Sequence, residues 1–237
     1  MIAGVDGCKS GWLVALSDGW TADAPVRYAV CSTFAAVRDL TVGCSATVVD
    51  VPIGLPAGKF GRAADEIART KLSGAGASTS SVFRTPPRSA IDASDVNDFQ
   101  NRHREATGVG AGYPVWPIVR LIREVDSVLR EDPTARQRVF EFHPEIAWRR
   151  LAEGRLFGKA SALGAIQRIE FLDALRPGWR TALPATLGDR QIGLDDLLDA
   201  TVGLNVAQRI ADGVAARLPD THPAPIDTFG LPMNIWY

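Results

Sequence analysis

Four aspartates carry the most specific chemical signal in the sequence. Asp6 and Asp50 each follow a short apolar run that is typical of a buried strand. Asp196 and Asp199 are three residues apart near the start of a helical segment, so they lie on one face of that helix. Because ligands gather at the carboxyl ends of strands in an α/β sheet, we predict that these four carboxylates converge.

Converging carboxylates point to a divalent cation. Like charges in a cleft raise one another's pKa and strain the fold, and a hard cation removes that cost. Mg²⁺ prefers oxygen ligands, and water or phosphate oxygens complete its octahedron. Two such ions, roughly 4 Å apart, can activate a water and stabilise a leaving oxygen. We therefore predict that Asp6, Asp50, Asp196 and Asp199 are catalytic residues and ligands of Mg²⁺ or Mn²⁺.

Each aspartate taken alone also has a purely structural interpretation. Asp6 precedes Gly7 and could be a turn residue. The acidic residues from Asp195 to Asp199 would complement the dipole at the start of a helix. Asp195 itself is predicted to be the N-cap of that helix.

The segment Glu-Phe-His-Pro-Glu, residues 141–145, is the next most informative block. Glu141 or Glu145 could supply a further metal ligand, and we assign a catalytic role to Glu141. His143 could contact a phosphate or move a proton near neutral pH. In the alternative interpretation, Pro144 starts a helix and Glu145 lies in its first turn, where a negative charge is favourable.

Basic residues near these acids are candidates for binding a phosphate, because the planar fork of arginine suits phosphate oxygens. Arg62, Asp65 and Arg69 are also spaced for a salt-bridge ladder on a helix, so both interpretations stay open for Arg62. A lysine in a turn is usually solvated. The predicted substrate-binding residues are Lys9, Arg62, Arg84, Arg88 and His143.

Apolar periodicity and glycine or proline punctuation predict an α/β protein with a mixed sheet whose first three strands are antiparallel. We expect a single domain, residues 1–237, with a mostly helical insertion at about 57–135. The long segment from 73 to 88 is predicted to be a loop. The predicted strands are 2–5, 12–16, 27–31, 46–49 and 138–142, and the predicted helices are 33–39, 62–72, two within 92–130, one from 144, 161–175 and 195–218.

The composition is that of an ordinary globular protein, with 46% hydrophobic and 22% charged residues. A net charge of −1 gives no general attraction to nucleic acid or to an anionic membrane. Three widely spaced cysteines and the lack of a signal peptide favour a cytoplasmic location. The apolar stretches are too short to span a membrane, and the oligomeric state is left open between monomer and homodimer.

Two blocks resemble a known family: Gly-Val-Asp-Gly-Cys-Lys-Ser-Gly-Trp at 4–12 and Val-Asp-Val-Pro-Ile-Gly-Leu-Pro at 49–56. They are similar to domain-of-unknown-function family 429, an uncharacterised family of predicted nucleases with a ribonuclease H-like fold. The resemblance runs from about residue 2 to the end of the last helix. Further agreeing blocks are Arg62, Asp65 and Arg69, Ser81 to Phe83 with Pro86 and Arg88, residues 141–145, and residues 195–200.

The resemblance implies specific roles for the aspartates. Asp6, Asp50 and Asp199 match the acidic positions of the ribonuclease H-like superfamily, on the first strand, after the fourth and on a late helix. The spacing of Asp196 and Asp199 is similar to that of the late-helix motif in Holliday-junction resolvases. The implied activity is a two-metal nuclease or phosphodiesterase, with a nucleic acid or a nucleotide-type phosphodiester as substrate.

Two other functions compete with phosphodiester hydrolysis. The first hairpin also resembles that of ATP-dependent phosphotransferases of the actin and sugar-kinase type, which use two such units, whereas the sequence contains one. The second alternative is a non-catalytic nucleic-acid-binding module on the same scaffold, since fold does not fix function. Metal-dependent cleavage would favour the nuclease, and stabilisation by nucleotides would favour the phosphotransferase.

Overall fold

A five-stranded mixed sheet forms the centre of the protein. In the computed structural model, which describes residues 1–73, 82–112, 115–181, 183 and 192–237, the strand order is β3-β2-β1-β4-β5. β1 pairs antiparallel with β2 and parallel with β4; β2 pairs antiparallel with β3, and β4 parallel with β5. The strands are β1 Ile2–Cys8, β2 Gly11–Ser17, β3 Arg27–Cys31, β4 Ala46–Val49 and β5 Val139–Glu141.

Helices flank this sheet, so the predicted α/β architecture with a mixed sheet is confirmed. Thr33 caps the first helix with its side chain, and Ser161 caps α8, which begins at Ala162, one residue after the predicted start. Gly108, in the left-handed conformation, ends α4 where the break between two helices is predicted. The helices are α1 Phe34–Leu40, α2 Ala63–Leu72, α3 Arg88–Ile91, α4 Val96–Thr107, α5 Trp116–Glu131, α6 Pro133–Arg136, α7 Pro144–Leu151, α8 Ala162–Leu175 and α9 Leu194–Ala211.

Alternation along the strands divides the apolar core into two layers. On one face, Val5 and Val49 pack with residues of α1, α4 and α5. On the other face, Ile2 and Val48 pack with residues of α7, α8 and α9. Because successive side chains on a strand point to opposite faces, each residue's position in its strand decides which helices it meets.

Helix α9 lies directly on β1. A Cβ atom on Gly4 would stand 2.2 Å from the carbonyl oxygen of Ala200, and one on Gly203 would stand 3.0 Å from the Cα of Gly4. Glycine at both positions therefore lets the helix backbone approach the strand backbone. The contact places the first turns of α9 beside the carboxyl-terminal half of β1.

The end of the chain differs from its prediction. The last helix ends at Ala211, not at Leu218, because Gly213 takes a positive φ of 71° and reverses the chain. The following residues form a short antiparallel pair, β6 Arg217–Leu218 with β7 Ile235–Trp236. Within the described residues, no helix is long and apolar enough to cross a membrane.

The predicted loop from 73 to 88 is shorter than expected at its carboxyl end, because Arg88 already begins α3. Its central part, residues 74–81, lies outside the described residues, and so does Ser81 of the family resemblance. The helices of the predicted insertion share one apolar core with the sheet: Phe99 of α4 and Ile122 of α5 belong to the same cluster as Val5.

The strand–helix contact can be tested by substitution. We expect Gly4→Ala to lower the free energy of unfolding by about 3 kcal/mol, because the added methyl meets backbone atoms that cannot rotate away. Gly154→Ala is the matched control, since a Cβ there meets nothing within 4 Å. Urea unfolding of both variants measures the difference, and equal stabilities would contradict the close contact.

Candidate functional site

A pocket of about 180 Å³ opens at the carboxyl ends of β1 and β4. One side is acidic and the other is largely apolar, formed by side chains that include Phe83, Ile118 and Leu121. The charged residues that line the pocket are Asp6, Asp50, Arg62, Asp65, Glu141, Glu145, Lys159 and Asp199.

Asp6 and Asp50 occupy corresponding positions on neighbouring parallel strands. Val5 pairs with Val49, and the Asp50 amide donates to the Val5 carbonyl at 3.1 Å, so the next residue on each strand faces α9. Removal from water raises the pKa of Asp6 well above its ordinary value, and the charges of Asp50 and Asp199 raise it further. Asp6 also accepts a 2.8 Å hydrogen bond from the amide of Gly7.

Asp50 shows the same effect. Its pKa rises from 3.8 to about 7, first because of desolvation and then because of the charge of Asp199. Lys159 acts in the opposite direction and Glu145 adds to the rise. Part of Asp50 remains open to the pocket, so this carboxylate is accessible to a ligand.

Asp199 completes the group from the opposite side, on α9. Only 2% of the residue is exposed, and burial is the largest cause of its raised pKa. Its Oδ1 accepts a 2.8 Å hydrogen bond from Nε1 of Trp148, and its Oδ2 lies 3.3 Å from Nζ of Lys159. Burial lowers the pKa of Lys159, but the charges of Asp199 and the neighbouring aspartates outweigh it and raise that pKa overall.

Glu141 has a different role from the predicted catalytic one. It pairs with Val49 in the sheet and therefore points to the face opposite Asp50. Arg62 donates to both of its carboxylate oxygens, at 2.6 and 2.7 Å, and the amide of Ile53 donates at 2.7 Å. These bonds use both oxygens, so Glu141 supports the chain after β4 and is not available to a metal.

Arg62, which the sequence predicts to bind a phosphate, is likewise engaged within the protein. Its side chain is buried and divides its donors between Glu141 and Asp65, with Asp65 at 2.6 Å. Its Nη1 also donates to the carbonyl of Ile53 at 2.9 Å. Arg62 is therefore the centre of a buried ion-pair network and presents no free donor to a substrate.

Arg88 and Arg84 also have partners within the protein. Arg88 makes two hydrogen bonds to Asp126, at 2.8 and 2.9 Å, and a third, short bond to Asp227. It thereby ties the carboxyl-terminal segment to α5. Arg84 is exposed and pairs with Glu66 at 3.2 Å, away from the residues that line the pocket. Both terminal nitrogens of Arg88 are thus engaged within the protein, and the structure gives no support to the predicted phosphate contacts of Arg84 and Arg88.

The remaining predicted residues lie at the edge of the site. His143 lines the pocket and caps α7, accepting the amide hydrogen of Glu145 at its Nδ1. Lys9 and Asp196 line a neighbouring depression that shares Gly7 with the main pocket. The Oδ2 of Asp196 accepts a 3.2 Å hydrogen bond from the amide of Gly193.

The structure also corrects the predicted cap of this helix. Gly193 is the N-cap of α9 and Asp195 lies inside the first turn, so the prediction that Asp195 caps the helix was wrong. The charges of Asp199 and Asp196 both raise the pKa of Asp6, and Asp196 in addition accepts a hydrogen bond from the amide at the start of its own helix.

Three residues of the site escaped the sequence analysis. Trp148 is fully buried, and the available signal was that a tryptophan in a core needs an acceptor for its indole N–H. Lys159 lies just before α8 and pairs with Asp199. Arg168 lies within α8 and pairs with Glu145. Neither pair has a regular spacing in the sequence. No local pattern could have connected them.

The three aspartates Asp6, Asp50 and Asp199 offer carboxylate oxygens to the pocket, and oxygen ligands fit Mg²⁺ or Mn²⁺. When Asp6, Asp50 and Asp199 are all ionised, they carry three negative charges. Lys159 compensates one of these, so two remain uncompensated. Across the part of the chain that the structure describes, no three His, Cys, Asp or Glu side chains are placed so as to hold a metal ion. Binding an ion would therefore require these carboxylates to move closer together.

The raised pKa of Asp50 predicts a pH-dependent stability. Between 3.8 and about 7 the folded protein keeps a proton that the unfolded chain has released, so the free energy of unfolding falls as pH rises through this window. In Asp50→Asn this contribution disappears, and the variant should be more stable than the wild type at pH 8. Urea unfolding at pH 5 and pH 8 with a chelator tests this, and identical pH slopes would contradict it.

Comparison with known families gives one match, over most of the chain. Residues 4–224 match the family described as "Protein of unknown function (DUF429)". No curated protein and no solved structure matches the chain. The resemblance drawn from the two amino-terminal blocks is thus confirmed at the level of the family, and the chain belongs to the DUF429 family of proteins of unknown function.

Proposed function

We propose that this protein is a Mg²⁺- or Mn²⁺-dependent hydrolase of phosphodiester bonds with a ribonuclease H-like fold. The observation that carries the proposal is the convergence of Asp6, Asp50 and Asp199 on one pocket, where burial first and neighbouring carboxylates second raise the pKa of each. Strongly perturbed carboxylates that share a cleft are typical of functional sites. The sheet order, with antiparallel β1–β3 followed by parallel β4 and β5, supports the fold assignment.

The three aspartates would act as the cation ligands. A bound divalent ion supplies charge neutralisation and an activated water, which is the chemistry that phosphodiester hydrolysis needs. Trp148 orients Asp199 through its indole N–H, and Lys159 supplies a positive charge beside the same carboxylate. His143 lines the pocket and would contact the substrate.

The substrate class follows from the same surroundings. Two of the predicted arginine contacts are engaged with carboxylates inside the protein, and the net charge is −1. Binding along a nucleic-acid backbone depends on many phosphate contacts, which these residues do not offer. The proposal therefore favours a short, terminal or nucleotide-sized phosphodiester over a long duplex.

Asp199 and Asp196 offer a matched pair for testing activity. We expect Asp199→Asn to lower Mn²⁺-dependent cleavage by about 100-fold or more, because it removes a central ligand. Asp196→Asn should keep most of the activity, since that side chain lies in the neighbouring depression. The assay uses bis-p-nitrophenyl phosphate and a panel of single-stranded, duplex and branched nucleic acids.

Two results would contradict this expectation. A wild-type protein that is inert on the whole panel and binds no Mn²⁺ in calorimetry would overturn the proposed function. Thermal stabilisation by ATP without cleavage would point to the phosphotransferase alternative instead.

Lys159 provides a second test, because its ammonium competes with a cation for Asp199. We expect Lys159→Met to bind Mn²⁺ about fivefold more tightly, which corresponds to the loss of a partly exposed ion pair worth up to about 1 kcal/mol. Lys59→Met, at an exposed position, is the control. Unchanged or weaker binding by Lys159→Met would contradict competition at this site.

A further inference from the structure

One buried carboxylate oxygen on the pocket wall has no hydrogen-bond partner. The Oε2 atom of Glu145 is inaccessible to water and unpartnered among the described residues. Only 3% of the Glu145 side chain is exposed. A buried charged acceptor without a partner is costly, so such an atom calls for an explanation.

The other oxygen of Glu145 is firmly held. Oε1 accepts a 2.7 Å hydrogen bond from Nη2 of Arg168, whose residue is 1% exposed. Nη1 of Arg168 donates to the carbonyls of Phe157 and Gly164, both at 2.9 Å. The guanidinium is thus fixed by the backbone at the start of α8, and it fixes the orientation of the carboxylate.

Glu145 belongs to the same electrostatic group as the aspartates. It lines the pocket together with Asp50 and Asp199. Its negative charge raises the pKa of both. It reaches the pocket from the first turn of α7, beside the proline that begins that helix.

We propose that Glu145 is a further ligand of the divalent cation through its Oε2 atom, and that Arg168 is the residue that positions it. This inference rests on the proposed metal-dependent function. It replaces Glu141, whose two oxygens are taken by Arg62, with the glutamate four residues later. A carboxylate that keeps one oxygen in an ion pair and offers the other suits a monodentate ligand of Mg²⁺ or Mn²⁺.

A purely structural role makes a different prediction. If Glu145 served only as the partner of Arg168, its substitution would lower stability and leave Mn²⁺ affinity unchanged. Glu141 has that kind of role with Arg62. The two glutamates therefore form a matched pair. Both are buried and both have an arginine partner, but only Glu145 has an oxygen without a hydrogen-bond partner.

The test is Mn²⁺ titration of the full-length protein by calorimetry, with thermal unfolding measured in parallel. We expect Glu145→Gln to bind Mn²⁺ at least about tenfold more weakly than wild type. Glu141→Gln should unfold at a lower temperature but bind Mn²⁺ with wild-type affinity. Arg168→Met should weaken Mn²⁺ binding less than Glu145→Gln does, because it frees the ligand without removing it.

Each result is decisive. If Glu145→Gln does not fold, Glu145→Asp keeps the charge but shortens the side chain, and it should show the same loss of affinity. Wild-type affinity in the folded Glu145 variant, or an equal loss in Glu141→Gln, overturns the assignment of Glu145. Absence of Mn²⁺ binding by the wild-type protein overturns the proposed function itself, so the two failures are distinguishable.

Discussion

The close approach of α9 to β1 is the constraint on which the site depends. Gly4 and Gly203 remove the side chains that would separate the two backbones, and the strand and helix then bring Asp6 and Asp199 to the same pocket. Trp148 of α7 reaches the group from the same layer of helices and donates to Asp199. A wider spacing between sheet and helix would separate the carboxylates, whatever their positions in the sequence.

Convergence of the acids imposes an electrostatic cost that the protein compensates only in part. Desolvation and mutual repulsion raise the pKa values of Asp6 and Asp50. Lys159 offsets some of this charge from the rim, with 45% of its side chain still exposed. By contrast, the ion pair of Arg62 and Glu141 is buried and saturated. The fold thus contains two kinds of buried acid. Glu141 is neutralised by Arg62 within the protein, whereas Asp6 and Asp50 keep the capacity to bind a cation.

The sequence predicted the elements that carry the site better than the contacts between them. Asp6 and Asp50 could be assigned because apolar runs mark their strands. β4 ends immediately before Asp50, as expected, whereas β1 continues past Asp6 to Cys8. The side of the sheet to which Glu141 points could not be predicted. The strand β5 is short, and which of its residues point to which face depends on its pairing with β4. The roles of Arg62 and Arg88 depend on residues 79 and 139 positions away, and no local pattern reports such pairs.

The most direct test of the central claim is a crystal structure of the protein soaked in Mn²⁺, with the ion located by anomalous scattering. We expect a peak about 2.1 Å from carboxylate oxygens of Asp6, Asp50 and Asp199, with the ammonium of Lys159 displaced from Asp199. A pocket without a peak, in which Lys159 still contacts Asp199, would contradict it.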